Sequence, residues 1–309
     1  ADTERELTRL PVAFTRLSDE EEIRIGDQLA RGYSQSPKDS EQRAVEEYVQ
    51  RVGSRVVQQA HRKLPYRFHY IPDLNFVNAF ALPGGHVFIG EGLMALMESE
   101  DALAAVLGHE LEHIDHYHCA ERIQMESALR RVPLGELVSL PMEIFVAGYS
   151  KDEEMEADRE GVRVAVAASY SPLGAIQVFE ALGRLYREQG SGKNVSPANP
   201  VEELSKVAEQ ALEGYFRSHS LPDERIAQIR SLIADSQWKA TEPSVPLQSA
   251  YVHLGERAER ALSAGHYQQA ADFAAQSLSL RAEQPRGLTV LAKAKLALGD
   301  FPAAIAAYN

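Results

Sequence analysis

Cysteine is almost missing from this chain. Cys119 is the only one in 309 residues, which excludes an intrachain disulfide and any site built from several thiolates. A basic excess is missing as well: 32 Lys and Arg stand against 45 Asp and Glu, a net charge of −13. With no basic stripe to offset it, that balance argues against nucleic acid or an anionic membrane surface as the main partner. Long hydrophobic runs are also lacking. The most apolar stretches, residues 132 to 149 and 162 to 179, are broken by Glu136, Pro141 and Glu143 in the first and by Ser171-Pro172 in the second, so neither reads as a transmembrane segment. The chain opens at Ala1 with no secretory signal, as expected of a mature form left after cleavage or of a boundary set elsewhere.

What is plentiful is apolar residue, 44% of the chain, enough for at least one sizeable core, and the length leaves room for two domains. The most telling stretch is His109-Glu110-Leu111-Glu112-His113. Ahead of it, residues 99 to 108 read as a capped helix start, with Ser99 as N-cap, Glu100 and Asp101 in the first turn and apolar residues after them. Helical positions four apart lie about 40° apart around the axis and about 6 Å along it, so both imidazoles can reach one ion. Glu110 then points beside that ion, where it can take a proton from bound water. The pattern predicts one zinc ion held by His109 and His113, with Glu110 as general base.

A catalytic zinc takes three protein ligands and leaves its fourth position to water. The extended metzincin pattern would place a third histidine six residues after His113, but that position is Cys119, and His116 stands where the pattern has glycine. The next acid-rich helix offers the alternative. Ser150 to Glu153 form a capping box, and Glu154 and Asp158 follow one turn apart on one face. Glu154 is the expected third ligand and Glu156 the runner-up, with Glu153 and Glu160 read as solvated face. Asp158 is expected to accept a hydrogen bond from the outer N–H of a ligating histidine and so fix its tautomer. His116 and His118 read as structural or surface residues. His61, His69, His86, His253 and His266 have no partner at ligand spacing, and Cys119 reads as a small buried side chain rather than a ligand.

Residues 18 to 64 carry charged helical patterns, with Ala44, Val45, Tyr48, Val49, Val52, Val56 and Val57 at helix spacing. Strands are predicted at 66 to 70, 76 to 82 and 87 to 89, the last two around Pro83-Gly84-Gly85. An exposed edge along Asn78, Ala79, Phe80 and Ala81 could pair with an extended peptide and hold it over the metal; equally, these are only core strands. Pro243 and Pro246 mark a linker, which divides the chain into residues 1 to 243 and 247 to 309. In the second part Gly265-His266-Tyr267 and Gly299-Asp300-Phe301, each followed by Ala270 or Ala304, lie 34 residues apart (299 minus 265), the tetratricopeptide period. Leu288, Leu291 and Tyr308 fall where that repeat has large residues, while Lys295 and Ala274 depart from it, and Tyr267, Phe273 and Phe301 are expected in the repeat core. The array is expected to be incomplete, because a stable stack needs about three repeats and a cap.

Four segments together, Asn78 to Gly85, His109 to His113, Tyr149-Ser150 leading into Glu154 to Asp158, and Ser218-His219-Ser220-Leu221-Pro222 with Arg225, resemble the zinc metalloendopeptidase family of the CAAX prenyl protease and the bacterial heat-shock membrane protease. Without membrane helices and with a repeat tail, the chain looks most like that family's soluble periplasmic branch. The resemblance implies an α+β fold: a mainly helical zincin-type protease domain with a small β-sheet, followed by an α-helical tetratricopeptide segment. It also implies that His109, His113 and Glu154 bind zinc, that Glu110 is the base and that Asp158 supports the ligands. It adds a role for His219, in oxyanion stabilisation or as an inhibitory fourth zinc contact, with Arg225 just after it. The family has His-Pro here, whereas in this chain Ser220 follows His219 and proline comes at Pro222.

The expected function is therefore zinc-dependent endopeptidase activity on protein or peptide substrates. The resemblance suggests periplasmic quality control of envelope or outer-membrane proteins, with the repeats engaging substrate or the envelope assembly machinery. The alternative is a repeat-based chaperone or adaptor with a silent zinc site, suggested by the concave surface that such repeats present.

Overall fold

The computed structural model describes residues 16–34, 37–130, 149–190, 222–242 and 245–308. Two helices come first. Helix α1 (Asp19–Tyr33) starts at a capping box between Ser18 and Glu21, and α2 (Ser40–Val56) is capped by Asp39, whose carboxylate accepts the Gln42 amide. The α2 stripe of Val45, Tyr48, Val49, Val52 and Val56 is buried, as its spacing requires, whereas Ala44 falls on the solvent side.

A small sheet follows, of strands β1 (Arg67–Ile71), β2 (Ala79–Leu82) and β3 (His86–Gly90). Among the described residues its order is β1-β3-β2, with β1 parallel and β2 antiparallel to β3. The hairpin between β2 and β3 turns at Pro83-Gly84-Gly85. Gly84 has φ +76°, and a Cβ there would lie 2.5 Å from the Ile23 backbone, so this turn needs glycine on both counts. The second strand begins at Ala79 rather than Phe76, because Phe76 is taken up in a turn with its amide on the Asp73 carbonyl. Among the described residues strand β2 lies at the sheet's edge, and its own side chains are all buried.

After the single turn α3 (Glu91–Met94), helix α4 (Glu100–Asp115) runs through the centre of the core. Ser99 caps it by accepting the Ala102 amide. Almost every residue of α4 is buried, acids included, so it is packed on all sides rather than amphipathic. Around it lie α5 (His118–Arg130), α6 (Lys151–Ala167), α7 (Leu173–Gly190) and α8 (Pro222–Asp235). Two glycines set the closest approach: a Cβ on Gly161 would fall 2.6 Å from the His109 amide nitrogen, and one on Gly108 would fall 2.6 Å from the Gly161 carbonyl. Helices α4 and α6 thus touch backbone to backbone at the first residue of the HExxH pentapeptide.

Residues 241–242 and 245–247, on either side of Pro243, which lies outside the described residues, are non-helical, and the second part is pinned to the core. Pro246 bridges to Ser99, and Glu100 donates its amide to the Val245 carbonyl at 2.9 Å. Beyond it stand two helical hairpins, α9 (Ala250–Ser263) with α10 (Tyr267–Leu280) and α11 (Pro285–Ala297) with α12 (Phe301–Tyr308). Their core is Ala258, Ala261, Ala270, Ala274, Phe273 and Val290. Tyr267 and Phe301, expected inside, are 40% and 60% exposed. Each opens its helix at the outer surface, and small alanines fill the inner positions instead. Among the described residues no helix is long and apolar enough to cross a membrane.

Candidate active site

Helix α4 carries His109 and His113 one turn apart on the side facing α6, and the Gly108–Gly161 contact brings Glu154 of α6 against them. The two Nε2 atoms lie 3.1 Å apart. Glu154 Oε1 is 3.3 Å from His113 Nε2, and its Oε2 is 3.8 Å from His109 Nε2. A tetrahedral zinc with bonds of about 2.0–2.1 Å would hold its ligand atoms about 3.3–3.4 Å apart; the pair of Nε2 atoms at 3.1 Å and the His113 Nε2–Glu154 Oε1 pair at 3.3 Å lie close to that value, and the second Glu154 oxygen faces His109. Two imidazoles and one carboxylate, all buried, are also the donor types that a hydrolytic zinc accepts. The residues present fit the ion.

Each imidazole has an outer partner. His109 Nδ1 is 2.8 Å from Asp158 Oδ1. Arg225 Nη2 also comes within 3.3 Å of that nitrogen, but a guanidinium only donates, so the shorter contact with an anionic acceptor places the proton on Nδ1 and leaves Nε2 bare toward Glu154. Arg225 from α8 closes on the far side of Asp158 with two hydrogen bonds, Nε to Oδ2 at 2.6 Å and Nη2 to Oδ1 at 2.5 Å. Burial alone would raise the Asp158 carboxyl; the Arg225 charge and hydrogen bonds, with His109, overcome it and hold it at about 2. Burial likewise opposes protonation of His109, yet the Asp158 hydrogen bond and charge outweigh it and lift this histidine above its ordinary value. For His113 burial prevails and the shift is downward.

The ring of Tyr149 stacks on His113 at 3.8 Å between centroids, and its hydroxyl meets Cys119 Sγ at 3.3 Å. Cys119 is therefore an inert packing thiol, its titration pushed up by burial. Glu110 is buried and faces a crevice with about 370 Å³ of empty space, open solvent at its mouth included. Ala79 of the edge strand lines that crevice with Glu110, His109 and Asp158, and Ala105, Val106, Val178 and Phe179 form its apolar wall.

A family model described as Peptidase family M48 matches residues 43–233. The chain belongs to peptidase family M48. That stretch contains α4, α6 and most of α8, hence every side chain of the site just described. Among related M48 proteins, the mitochondrial metalloendopeptidase OMA1 of Schizosaccharomyces pombe is 30% identical over 164 residues, covering 50% of this chain and 48% of its own length. The beta-barrel assembly-enhancing protease of Yersinia pestis is 26% identical over 242 residues, 71% of this chain and 45% of that protein. Its Escherichia coli K12 counterpart is 27% identical over 220 residues, covering 64% and 44%. The chain thus spans about half the length of the relatives it matches.

Of the residues singled out in the sequence, the structure gathers His109, Glu110, His113, Glu154, Asp158 and Arg225 in one buried cluster. Ala79 stands at its margin, Phe80 and Ala81 continue along β2, and Asn78 precedes the strand with its carbonyl accepting the Gly90 amide. His219 lies outside the described residues. Glu156, the runner-up for the third ligand, points elsewhere: its carboxylate meets His118 and His116 at 3.4 and 3.8 Å. Of the two readings for His118, structural or surface, the surface one fails: it is buried, with its Nδ1 3.0 Å from His113 Nδ1. Other histidines without partners at ligand spacing have them across the fold: His69 meets His86 at 2.9 Å, and His253 meets Glu91 at 3.3 Å.

Proposed function

We propose that this chain is a zinc-dependent endopeptidase. The observation that carries the proposal is the buried cradle of His109, His113 and Glu154, beside a buried Glu110 that lines a crevice together with Ala79 of the edge strand. Bound there, zinc would polarise a scissile carbonyl and make its water acidic enough to react near neutral pH. Glu110 takes the proton from that water and delivers it to the leaving amine. Asp158, clamped by Arg225, keeps His109 in the tautomer whose Nε2 faces inward. Edge strand β2 pairs with an extended substrate segment and lays it along the crevice, main chain to main chain. His219 belongs to the proposal through the family resemblance: His219→Ala raises cleavage if this side chain restrains the site and lowers it if it stabilises the oxyanion, and unchanged cleavage removes it from the mechanism.

The two C-terminal hairpins, proposed as a separate unit from residue 247 onward, serve as tetratricopeptide repeats that engage substrate or partner. Gly265 and Gly299 close equivalent helices with nearly equal φ of +80° and +78°, and Ala270 and Ala304 are buried at matching places. Leu296, Leu298, Phe301, Ile305 and Tyr308 of the second hairpin are exposed, the kind of face against which a further repeat packs. The alignments with the beta-barrel assembly-enhancing proteases extend over more of the chain than that with the mitochondrial enzyme. That favours a periplasmic location and a role in quality control of outer-membrane proteins, through contacts with the envelope assembly machinery.

Zinc content and casein cleavage test the enzymatic reading. The chain should carry one zinc, lose cleavage to a chelator, and lose roughly 10²- to 10⁴-fold on Glu110→Gln while keeping the metal. Equal cleavage by the substituted protein would refute the assignment.

A further inference from the structure

Helix α4 ends at Asp115, and α5 begins only three residues later at His118, so the chain reverses within a very short span. The reversal turns on Tyr117, which has φ +63°, a left-handed conformation that a bulky non-glycine residue rarely adopts. The surroundings impose it. The guanidinium groups of Arg16 and Arg62 each sit 3.9 Å from the centre of the Tyr117 ring. Arg62 also donates to the Ile114 carbonyl at 2.9 Å, and Asp115 accepts the His61 and Arg62 amides and the Tyr66 hydroxyl. Strain held this firmly is seldom idle, and here it swings His118 back over the preceding turn until its Nδ1 is 3.0 Å from His113 Nδ1.

Resting on the zinc-site reading above, we infer that His118 is a positioning residue for His113: its Nδ1 accepts the His113 Nδ1–H and so commits His113 Nε2 to the metal cradle. The protons run in only one sense. With His113 Nε2 bare and facing His109 and Glu154, the His113 proton resides on Nδ1, and His118 Nδ1 is the acceptor within reach. The His118 proton then sits on Nε2, which faces Glu156 Oε2 at 3.4 Å. The opposite sense would put an N–H of His113 into the cradle, 3.1 Å from His109 Nε2. The two imidazoles of the pentapeptide are thus oriented differently. His109 leans on an anionic carboxylate and His113 on a neutral ring, backed on its face by Tyr149.

The test compares zinc affinity, by competition with a chromophoric chelator, for the whole chain and for His118→Phe and His118→Gln. Phenylalanine keeps the bulk without an acceptor, whereas glutamine keeps one in its amide oxygen. Affinity should fall roughly 10- to 100-fold for H118F and recover most of that in H118Q. In zinc-loaded, histidine-labelled protein, the His113 Nδ1–H should exchange slowly with water in wild type and H118Q and rapidly in H118F. Affinity unchanged in H118F overturns the inference, as does an equal loss in both variants, or a His113 proton found on Nε2. If H118F does not fold, H118Q and the wild-type tautomer still decide it. A wild-type chain that binds no zinc overturns the enzymatic reading along with this one.

Discussion

Arg225 grips Asp158 through both carboxylate oxygens, at 2.5 and 2.6 Å, and both side chains are about 1% exposed. The pair ties α8 to α6 directly behind His109. Removing the cation leaves the Asp158 carboxylate in the protein interior with only His109 beside it, and breaking a buried pair this way costs about 3–5 kcal/mol. Arg225→Ala should therefore lower the unfolding free energy of the metal-free chain, read from a denaturant titration, by that amount. Arg225→Lys should recover little, because an ammonium cannot reproduce the two-pronged contact. An Arg225→Ala chain within about 1 kcal/mol of wild type would show that the pair does not hold these helices.

Glu154 and Glu156 are both on α6, but their surroundings differ enough to predict opposite outcomes. Glu154 is 1% exposed and faces both Nε2 atoms, while Glu156 lies outside among His116, His118 and Arg159. Glu154→Ala should abolish stoichiometric zinc in metal analysis, and Glu156→Ala should keep one zinc per chain. Full zinc in the first variant, or none in the second, would reverse the assignment of the third ligand.

Gly161→Ala adds one methyl group where the α4 backbone already stands. The new carbon would lie 2.6 Å from the His109 amide nitrogen and 2.8 Å from His109 Cα, and backbone does not yield as a side-chain tip does. The variant should lose about 1–3 kcal/mol of stability and bind zinc markedly more weakly. Gly32→Ala, whose added carbon meets nothing, serves as the control. Equal zinc affinity in both would mean that the close helix crossing is dispensable to the site.

Glu256 of α9 faces Glu91 and Arg286 where the hairpins dock on the core. Burial, and then the neighbouring Glu91 carboxylate, push Glu256 up to about 7 from 4.5. The folded chain therefore holds this proton more tightly than the unfolded one. Its contribution is full below 4.5 and is lost as pH rises through about 7. Glu256→Gln imitates the protonated acid, so it should melt higher than wild type at pH 8, by about 2–4 °C, with the gap closing near pH 4.5. A gap of constant size across that range would exclude Glu256 as its source.

Features of the site that depend on local periodicity were legible in the sequence. His109 and His113 share a face because of helical pitch, and Ser99 and Ser150 start their helices through side-chain contacts only three residues long. Glu154 could be nominated by its step to Asp158, but choosing it over Glu156 depends on the rotation of α6 against α4, which the glycine contact sets. His118 was hidden for another reason: its position follows from a left-handed tyrosine, a conformation that tertiary clamping imposes against local preference. The pairs His253–Glu91 and His69–His86 join distant segments and leave no trace in spacing. In the hairpins, the 34-residue rhythm pointed to the helix-closing glycines and Phe273 is buried as expected, but Tyr267 and Phe301 open their helices at the outer surface, with Ala270 and Ala304 filling the inner positions three residues on.

The crossing of α4 and α6 at Gly108 and Gly161 makes metal capture and helix docking a single equilibrium, since two zinc donors ride on one helix and the third on the other. Free zinc at a hundredfold over its dissociation constant would tighten that joint by about 2.7 kcal/mol. By the same reciprocity, whatever pries α6 outward must also eject the ion. A binding partner or a neighbouring segment that levers these two helices apart by a fraction of an ångström would, on the proposed reading, empty the site without approaching the crevice, and the free zinc level of its surroundings would set how hard it has to pull.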